Sequence, residues 1–313
     1  MDEQSIIAAA ADLPRVGGGI VIGIGDDAAV VRPAVGYEVL TMDTLVDGVH
    51  FTQAWASPAD VGWKTLAVSV SDLAAMGAEP RHALLGLTLP DTLTETWTTG
   101  FFAGLAEACQ VWRVPVIGGD TVRGPALVIT LTLTGEARQP LLRTGAEAGW
   151  LLAVTGNLGG AAAGLHALQT GKTAPAAALT RWRRPPARLE AGRALAALDR
   201  RIACTDCSDG LVIAAGLLAG DLGLELDADK LPIDPAAMAL ADDQNQAIDW
   251  ALVGGEDYEL VLAFPAASEA EARAAVAPLP LTVVGRLLPE AGRWLFRGGR
   301  RQGLPAHWGF RHF

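Results

Sequence analysis

Carboxylates interrupt the most hydrophobic segments of this chain, and that limits the folds open to it. Asp26 and Asp27 follow Gly-Ile-Gly and precede Ala-Ala-Val-Val, Asp43 splits VLTMDTLV, and Asp72 lies within AVSVSDLAAMG. Asp120 ends VPVIGGD, Asp206 and Asp209 end RIACTDCSDG, and Glu256-Asp257 sit inside ALVGGEDYELVLAF. Burying a lone carboxylate is costly unless it is paired or bound to a cation. One such residue is usually a helix N-cap or a hydrogen-bonded acceptor. A whole set of them, repeatedly beside glycine at the ends of apolar runs, calls for shared counter-charge. The basic residues that would supply it lie mostly elsewhere, in 181–201 and 286–301. Oxygen ligands without paired His or Cys point to Mg2+ rather than zinc. Asp-Mg-phosphate bridges let an acidic protein bind an acidic substrate, and the glycines of GGD and GGED let backbone approach a phosphate closely. The residues alone thus indicate a Mg-dependent enzyme acting on nucleotide phosphates.

Strand and helix signals alternate along the chain. IVIGIGDDAAVV, YEVLTMDTLV, HALLGLTLP, VPVIGGD and ALVITLTLTGE read as strands, and 93–111 as a helix. A second helix is expected over 58–77, with Leu66, Val70, Leu73 and Gly77 on one stripe. The pattern breaks across 138–149, so two domains are expected, 1–138 and 139–313. The second opens with WLLAVTG and a small-residue helix, then RWRRPPARLEAGRALAAL, a strand at RIACTD and an apolar helix over 208–222. Further strands are expected at LGLELD, YELVLAF and TVVGRL. The class is mixed α/β (α+β) in two domains, with helices covering substantial sheets.

Composition removes several functions. Half of the 313 residues are hydrophobic and only 19% are charged, which excludes disorder. Lys and Arg number 24 against 35 Asp and Glu, a net charge of −11, so nucleic acid is not an expected partner. Three cysteines are too few for a disulfide framework, and the N-terminus lacks the basic and apolar regions of a signal peptide. A cytoplasmic protein is expected. The stretch 150–171 carries no Lys, Arg, Asp or Glu, but its glycines suit a buried strand, a turn and a packed helix better than a membrane span.

Three motifs are decoys. GIGDDA matches a dinucleotide fingerprint by letter, yet Asp26 and Asp27 stand where pyrophosphate would meet a helix. Gly171-Lys172-Thr173 resembles the end of a P-loop, but His166 occupies the earlier glycine position. Cys204-Thr205-Asp206-Cys207 has no second ligand pair for zinc. An acid between the sulfurs also disfavours thiolates, so two small buried side chains are the expected reading, with a redox pair as the alternative. The cluster 181–188 reads as a solvated face near a helix start, with phosphate contact as the alternative.

GIGDDAAVV, TMDTLVDGVHF, WKTLAVSVSDLAAMGAEP, IGGDTVRG, LLRTGAEAG, TDCSDGL and GGEDYEL occur in an order that resembles the thiamine-monophosphate kinases. The closing HWGFRHF is similar to that family's aromatic tail. These kinases belong to the aminoimidazole ribonucleotide synthetase-like superfamily, whose other synthetases are the alternative reading. The resemblance implies ATP-dependent phosphorylation of thiamine monophosphate, a homodimer paired through N-terminal sheets, and a C-terminal domain completing the nucleotide and substrate site. It implies several Mg2+ ions held by Asp27, Thr41, Asp43, Asp72, Asp120 and Asp206, with Asp209 near an additional ion. ATP contacts would come from Gly119, Asp120, Arg143 and Ser208, and substrate contacts from His50, Glu256 and Trp308. Ser208 also reads as a helix N-cap before Asp-Gly-Leu. Met42 stands where the family commonly has Thr, so no side-chain metal contact is expected from it. No membrane partner and no catalytic general base are expected, because the acceptor is itself a phosphate.

Overall fold

The computed structural model describes residues 3–14, 19–22, 24 and 29–304. The chain divides into two compact units, Met1–Leu73 with Ala78–Arg138, and Ala74–Gly77 with Gln139–Phe313.

The first unit runs α1 (Glu3–Ala11), β1 (Ile20–Ile22), β2 (Val30–Val31), β3 (Tyr37–Val46), α2 (Pro58–Ala75), β4 (Glu79–Leu89), α3 (Glu95–Trp112), β5 (Val116–Arg123) and β6 (Val128–Ala137). β1 and β2 pair antiparallel, so the run expected as one strand is two. The other four strands form a sheet in the order β3-β6-β4-β5, parallel only between β4 and β5, which α3 connects. Leu66, Val70 and Leu73 of α2 are fully buried, as the apolar stripe requires. Gly62 and Gly104 let α2 and α3 approach closely, since a Cβ on either would overlap a backbone carbonyl of the other helix.

The register sets the two faces of this sheet. Asp43, Leu131, Leu85 and Gly119 form one row across the four strands, and Thr44, Thr130, Gly86 and Asp120 form the next. Successive side chains point to opposite faces. Asp43's row faces α2, where Ser69 reaches it, and the neighbouring row faces away, with Thr44 Oγ1 3.0 Å from Thr130 Oγ1.

The second unit comprises β7 (Leu151–Thr155), α4 (Gly160–Thr170), α5 (Ala176–Arg183), α6 (Leu189–Ala196), β8 (Ala203–Asp206), α7 (Leu211–Ala219), β9 (Gly223–Asp227), α8 (Pro235–Leu240), α9 (Gln244–Val253), β10 (Leu260–Phe264), α10 (Glu269–Val276), β11 (Leu281–Leu288), β12 (Arg293–Arg297) and β13 (Arg300–Gly303). Its seven-stranded sheet has the order β13-β12-β9-β11-β7-β10-β8. Leu152, Val154, Leu224, Leu226 and Val261 pack with Leu211, Ala215 and Leu218 of α7 and with Ile248 and Leu252 of α9. The stretch that imitated a membrane span is β7 followed by α4. Among the described residues no helix is long and apolar enough to cross a membrane.

Candidate active site

In the first unit, Thr41 and Asp43 are alternate residues of β3 and so share a face, opposite Ser69 and Asp72 on α2. Residues three apart on a helix lie on one side of it, which lets both reach the strand. Thr41 Oγ1 donates to Asp72 Oδ2, and Ser69 Oγ donates to Asp43 Oδ2 at 2.6 Å. Burial, and then the charge of Asp72, push the Asp43 carboxyl up to about 6 against the pull of the Ser69 hydrogen bond. A divalent cation beside this pair would relieve both effects, and the donors are all oxygen, so the residues fit Mg2+. Among the described residues no three His, Cys, Asp or Glu side chains gather as a metal cluster. Asp27 lies outside the described residues.

His50 sits just beyond β3. Its Nδ1 accepts the Val46 amide at 3.1 Å, and its carbonyl accepts the buried Lys64 ammonium at 3.2 Å. Asp120 departs from the expectation of a buried setting. β5 is an edge strand, Gly119 and Asp120 are exposed on it, and Asp120 is on the sheet face opposite Asp43, three strands away. One sheet therefore carries the two carboxylates without bringing them together.

In the second unit the tip of β8 carries Asp206, which is buried, followed by Ser208 and Asp209. The Cys204 amide donates to the Leu142 carbonyl, which places Arg143 alongside, and Arg143 Nε donates to Thr205 Oγ1 at 3.0 Å. Ser208 is not a helix N-cap. That position belongs to Gly210, at φ 101°, because residues 207 and 208 are engaged by the turn before β10. The Cys207 amide donates to the Glu259 carbonyl at 2.8 Å, the Glu256 amide to Ser208 at 2.7 Å and the Tyr258 amide to Cys207 at 3.1 Å. Trp308, expected at the substrate, lies outside the described residues.

Beneath this turn lies an ionic cluster that the sequence reading missed. Glu259 is fully buried and accepts from Thr155 Oγ1 at 2.8 Å and from both Nε and Nη2 of Arg188. Arg181 Nη1 lies 3.8 Å from the same carboxylate, and its Nε lies 3.4 Å from Asp234. The cluster expected as a solvated face thus supplies counter-charge to the interior; the side chains of Arg188 and Arg181 are only 21% and 30% exposed. Asp257, also buried, accepts the amides of Gly159 at 2.7 Å and Ala161 at 3.3 Å and so caps α4 from a distant part of the chain. Burial pushes its carboxyl up to about 7, against those two hydrogen bonds.

The cysteines are free thiols, all buried. Burial raises Cys204 and Cys207, with Asp206 pushing the same way in both, so neither offers a ready thiolate.

Comparison with known proteins places these units in one family. Residues 25–137 match the family described as AIR synthase related protein, N-terminal domain, and residues 147–293 match its C-terminal domain. Thiamine-monophosphate kinase of Salmonella typhimurium is 39% identical over 306 residues, covering 93% of this chain and 91% of that protein. The crystal structure of thiamine-monophosphate kinase from Stenotrophomonas maltophilia superimposes with a TM-score of 0.82 at 37% identity, covering 93% of this chain and 94% of that one. AaThiL complexed with AMPPCP and TMP superimposes with a TM-score of 0.78 at 33% identity, covering 93% and 92%. With both domain matches and full-length relatives at this level of identity, the chain belongs to the AIR synthase related family and, within it, to the thiamine-monophosphate kinases.

Proposed function

We propose that this protein transfers the γ-phosphoryl group of ATP to thiamine monophosphate, giving thiamine diphosphate and ADP. The observation that carries this reading is the 39% identity to a thiamine-monophosphate kinase over 93% of the chain. The relative complexed with AMPPCP and TMP supports ATP and thiamine monophosphate as the two substrates.

The nucleophile is an oxygen of the substrate's own phosphate, whose second pKa of ~6 leaves it largely dianionic at neutral pH. It attacks Pγ, and the bond from Pγ to the β–γ bridging oxygen breaks with its electrons leaving on ADP. No side chain has to remove a proton. Asp43, Asp72 and Thr41 would hold Mg2+ on the α2 side of the sheet, with Asp27, Asp206 and Asp209 as further assigned ligands, and Asp120, on the opposite sheet face, would have to serve a separate ion. Such ions would screen the repulsion between the two polyanions. Arg143 offers a planar fork to phosphate oxygens, and Gly119, whose missing side chain lets β5 lie against the Leu85 carbonyl of β4, is exposed as the assigned backbone contact. Ser208 completes the assigned ATP contacts, and His50, Glu256 and Trp308 are assigned to the thiamine substrate.

The functional form is a homodimer joined through the open face of the four-stranded sheet. Leu40 and Met42 are 66% and 65% exposed there, alternating with Thr41 and Asp43 on the covered side. The three unpaired thiols fit a reducing, cytoplasmic setting.

The test is to incubate the purified protein with Mg-ATP and thiamine monophosphate and to follow products by chromatography. Thiamine diphosphate forming one-for-one with ADP is expected. ATP loss without thiamine diphosphate would move the substrate elsewhere in the family.

A further inference from the structure

The turn before β10 is strained in a regular way. Gly255, Glu256 and Tyr258 all have positive φ, at 67°, 59° and 50°. Side chains other than glycine rarely adopt this region, and such residues persist only where the surroundings over-determine them. Here the surroundings are two carboxylates of the turn itself, inserted into the body of the second unit. Asp257 is held by the α4 amides, and Glu259 by Thr155 and by the paired nitrogens of Arg188. Thr155 Oγ1 in turn accepts the Leu260 amide at 2.8 Å, which fixes the start of β10. From Gly255 through Phe264 every residue is buried except Glu256, which is partly exposed. The same turn is tied by three backbone hydrogen bonds to Cys207 and Ser208 beyond the tip of β8.

We propose that Glu259 and Arg188, with Asp257, are positioning residues that hold the Gly255–Tyr258 turn so that Glu256 is set for thiamine monophosphate. This rests on the proposed kinase reading and on Glu256 as a substrate contact. The cluster touches no substrate. It fixes a strained backbone from below, as outer hydrogen bonds fix a group that does. Arg188 is the informative handle because it is partly exposed, and its loss opens the clamp without placing a new group in the core.

The test compares the full-length wild type with Arg188→Met, Arg188→Lys, Glu256→Ala and the Arg188→Met/Glu256→Ala double variant. Thiamine monophosphate binding is followed by titration calorimetry, and KM and kcat are measured with Mg-ATP. Arg188→Met is expected to raise the Kd and KM for thiamine monophosphate by about 10-fold with kcat changed by less than about 3-fold, and Arg188→Lys to recover part of the loss. Glu256→Ala added to Arg188→Met should weaken binding by less than about 2-fold further, because residues acting as one unit are not additive. A folded Arg188→Met with unchanged Kd overturns the proposal, as do Arg188→Met and Glu256→Ala penalties that multiply. If Arg188→Met does not fold, Arg188→Lys and its double variant with Glu256→Ala decide instead, and an unchanged Kd for Arg188→Lys or penalties that multiply overturn the proposal. A wild type that makes thiamine diphosphate while the cycle is additive sinks this inference alone. A wild type that makes none sinks the kinase reading with it.

Discussion

Gly156 leaves the space that the Glu259 carboxylate occupies. A Cβ on Gly156, at φ 58°, would overlap Oε1 and lie 2.6 Å from Oε2. The carboxylate cannot swing aside freely, since Arg188 and Thr155 hold it in a fully buried position. Gly156→Ala is therefore expected to cost about 3 kcal/mol or more, the scale of disturbing a buried ion pair. Urea denaturation followed by circular dichroism checks it. A midpoint equal to that of the wild type would mean that the cluster yields without penalty.

Asp43 and Asp206 are expected to be unequal to ordinary surface acids. Asp43→Ala and Asp206→Ala should each lower kcat by at least ~100-fold, the scale of losing one strong electrostatic contact. Steady-state kinetics with saturating Mg-ATP decide this. Turnover near normal in both would remove them from the assigned site.

Stability should fall with rising pH through the window set by Asp257. Its carboxyl is raised from 3.8 to about 7 by burial, so the folded state binds the proton more tightly than the unfolded chain. The contribution is fully present below about pH 4 and is lost as pH rises through about 7, with a slope of up to about 1.4 kcal/mol per pH unit. Asp257→Asn should flatten that slope in urea titrations at pH 5, 6, 7 and 8. An identical slope in the variant would show that Asp257 is not the group responsible.

Thiol chemistry should be silent in the native protein. Cys109 is raised to about 12 by burial, and Cys204 and Cys207 are raised by the same cause. Iodoacetamide at pH 8 is expected to label none of the three in the folded state and all three in urea. Rapid native labelling of Cys204 and Cys207 would reopen a redox role for the pair.

Charging the open sheet face should separate the proposed dimer. Leu40→Glu with Met42→Glu places two carboxylates on an exposed face and leaves the buried side of β3 untouched. Sedimentation is expected to show a dimer for the wild type and a monomer for the variant. A monomeric wild type at micromolar concentration would end the proposal.

The parts of this molecule with a local period were legible in its sequence. YEVLTMDTLV reads as a strand and is β3, and Leu66, Val70 and Leu73 of the α2 stripe are buried as read, whereas Gly77 lies beyond the helix end at Ala75 with φ 64°. What escaped depended on partners remote in sequence. Arg188 and Glu259 are 71 residues apart, and no window along the chain shows that a basic run will meet a carboxylate buried in YELVLAF. Asp120 follows an apolar run, but exposure at β5 comes from its place at the edge of the sheet, which is a property of topology. The β12–β13 hairpin had a signal that went unread, Gly298-Gly299 at φ 56° and 77°, the two positive φ values that a tight hairpin turn favours.

The alternation along β3 also constrains how this strand can change length. One face bears the carboxylate and hydroxyl that meet α2, and the other bears Leu40 and Met42. Inserting a single residue ahead of Leu40 would exchange the two sets, turning Thr41 and Asp43 outward and driving a leucine and a methionine against Ser69 and Asp72. Inserting two would keep both faces and shift only the register. Lineages of this strand can therefore lengthen or shorten in pairs, and an odd step would break the contacts of β3 with α2 and the apolar pair on the open face together.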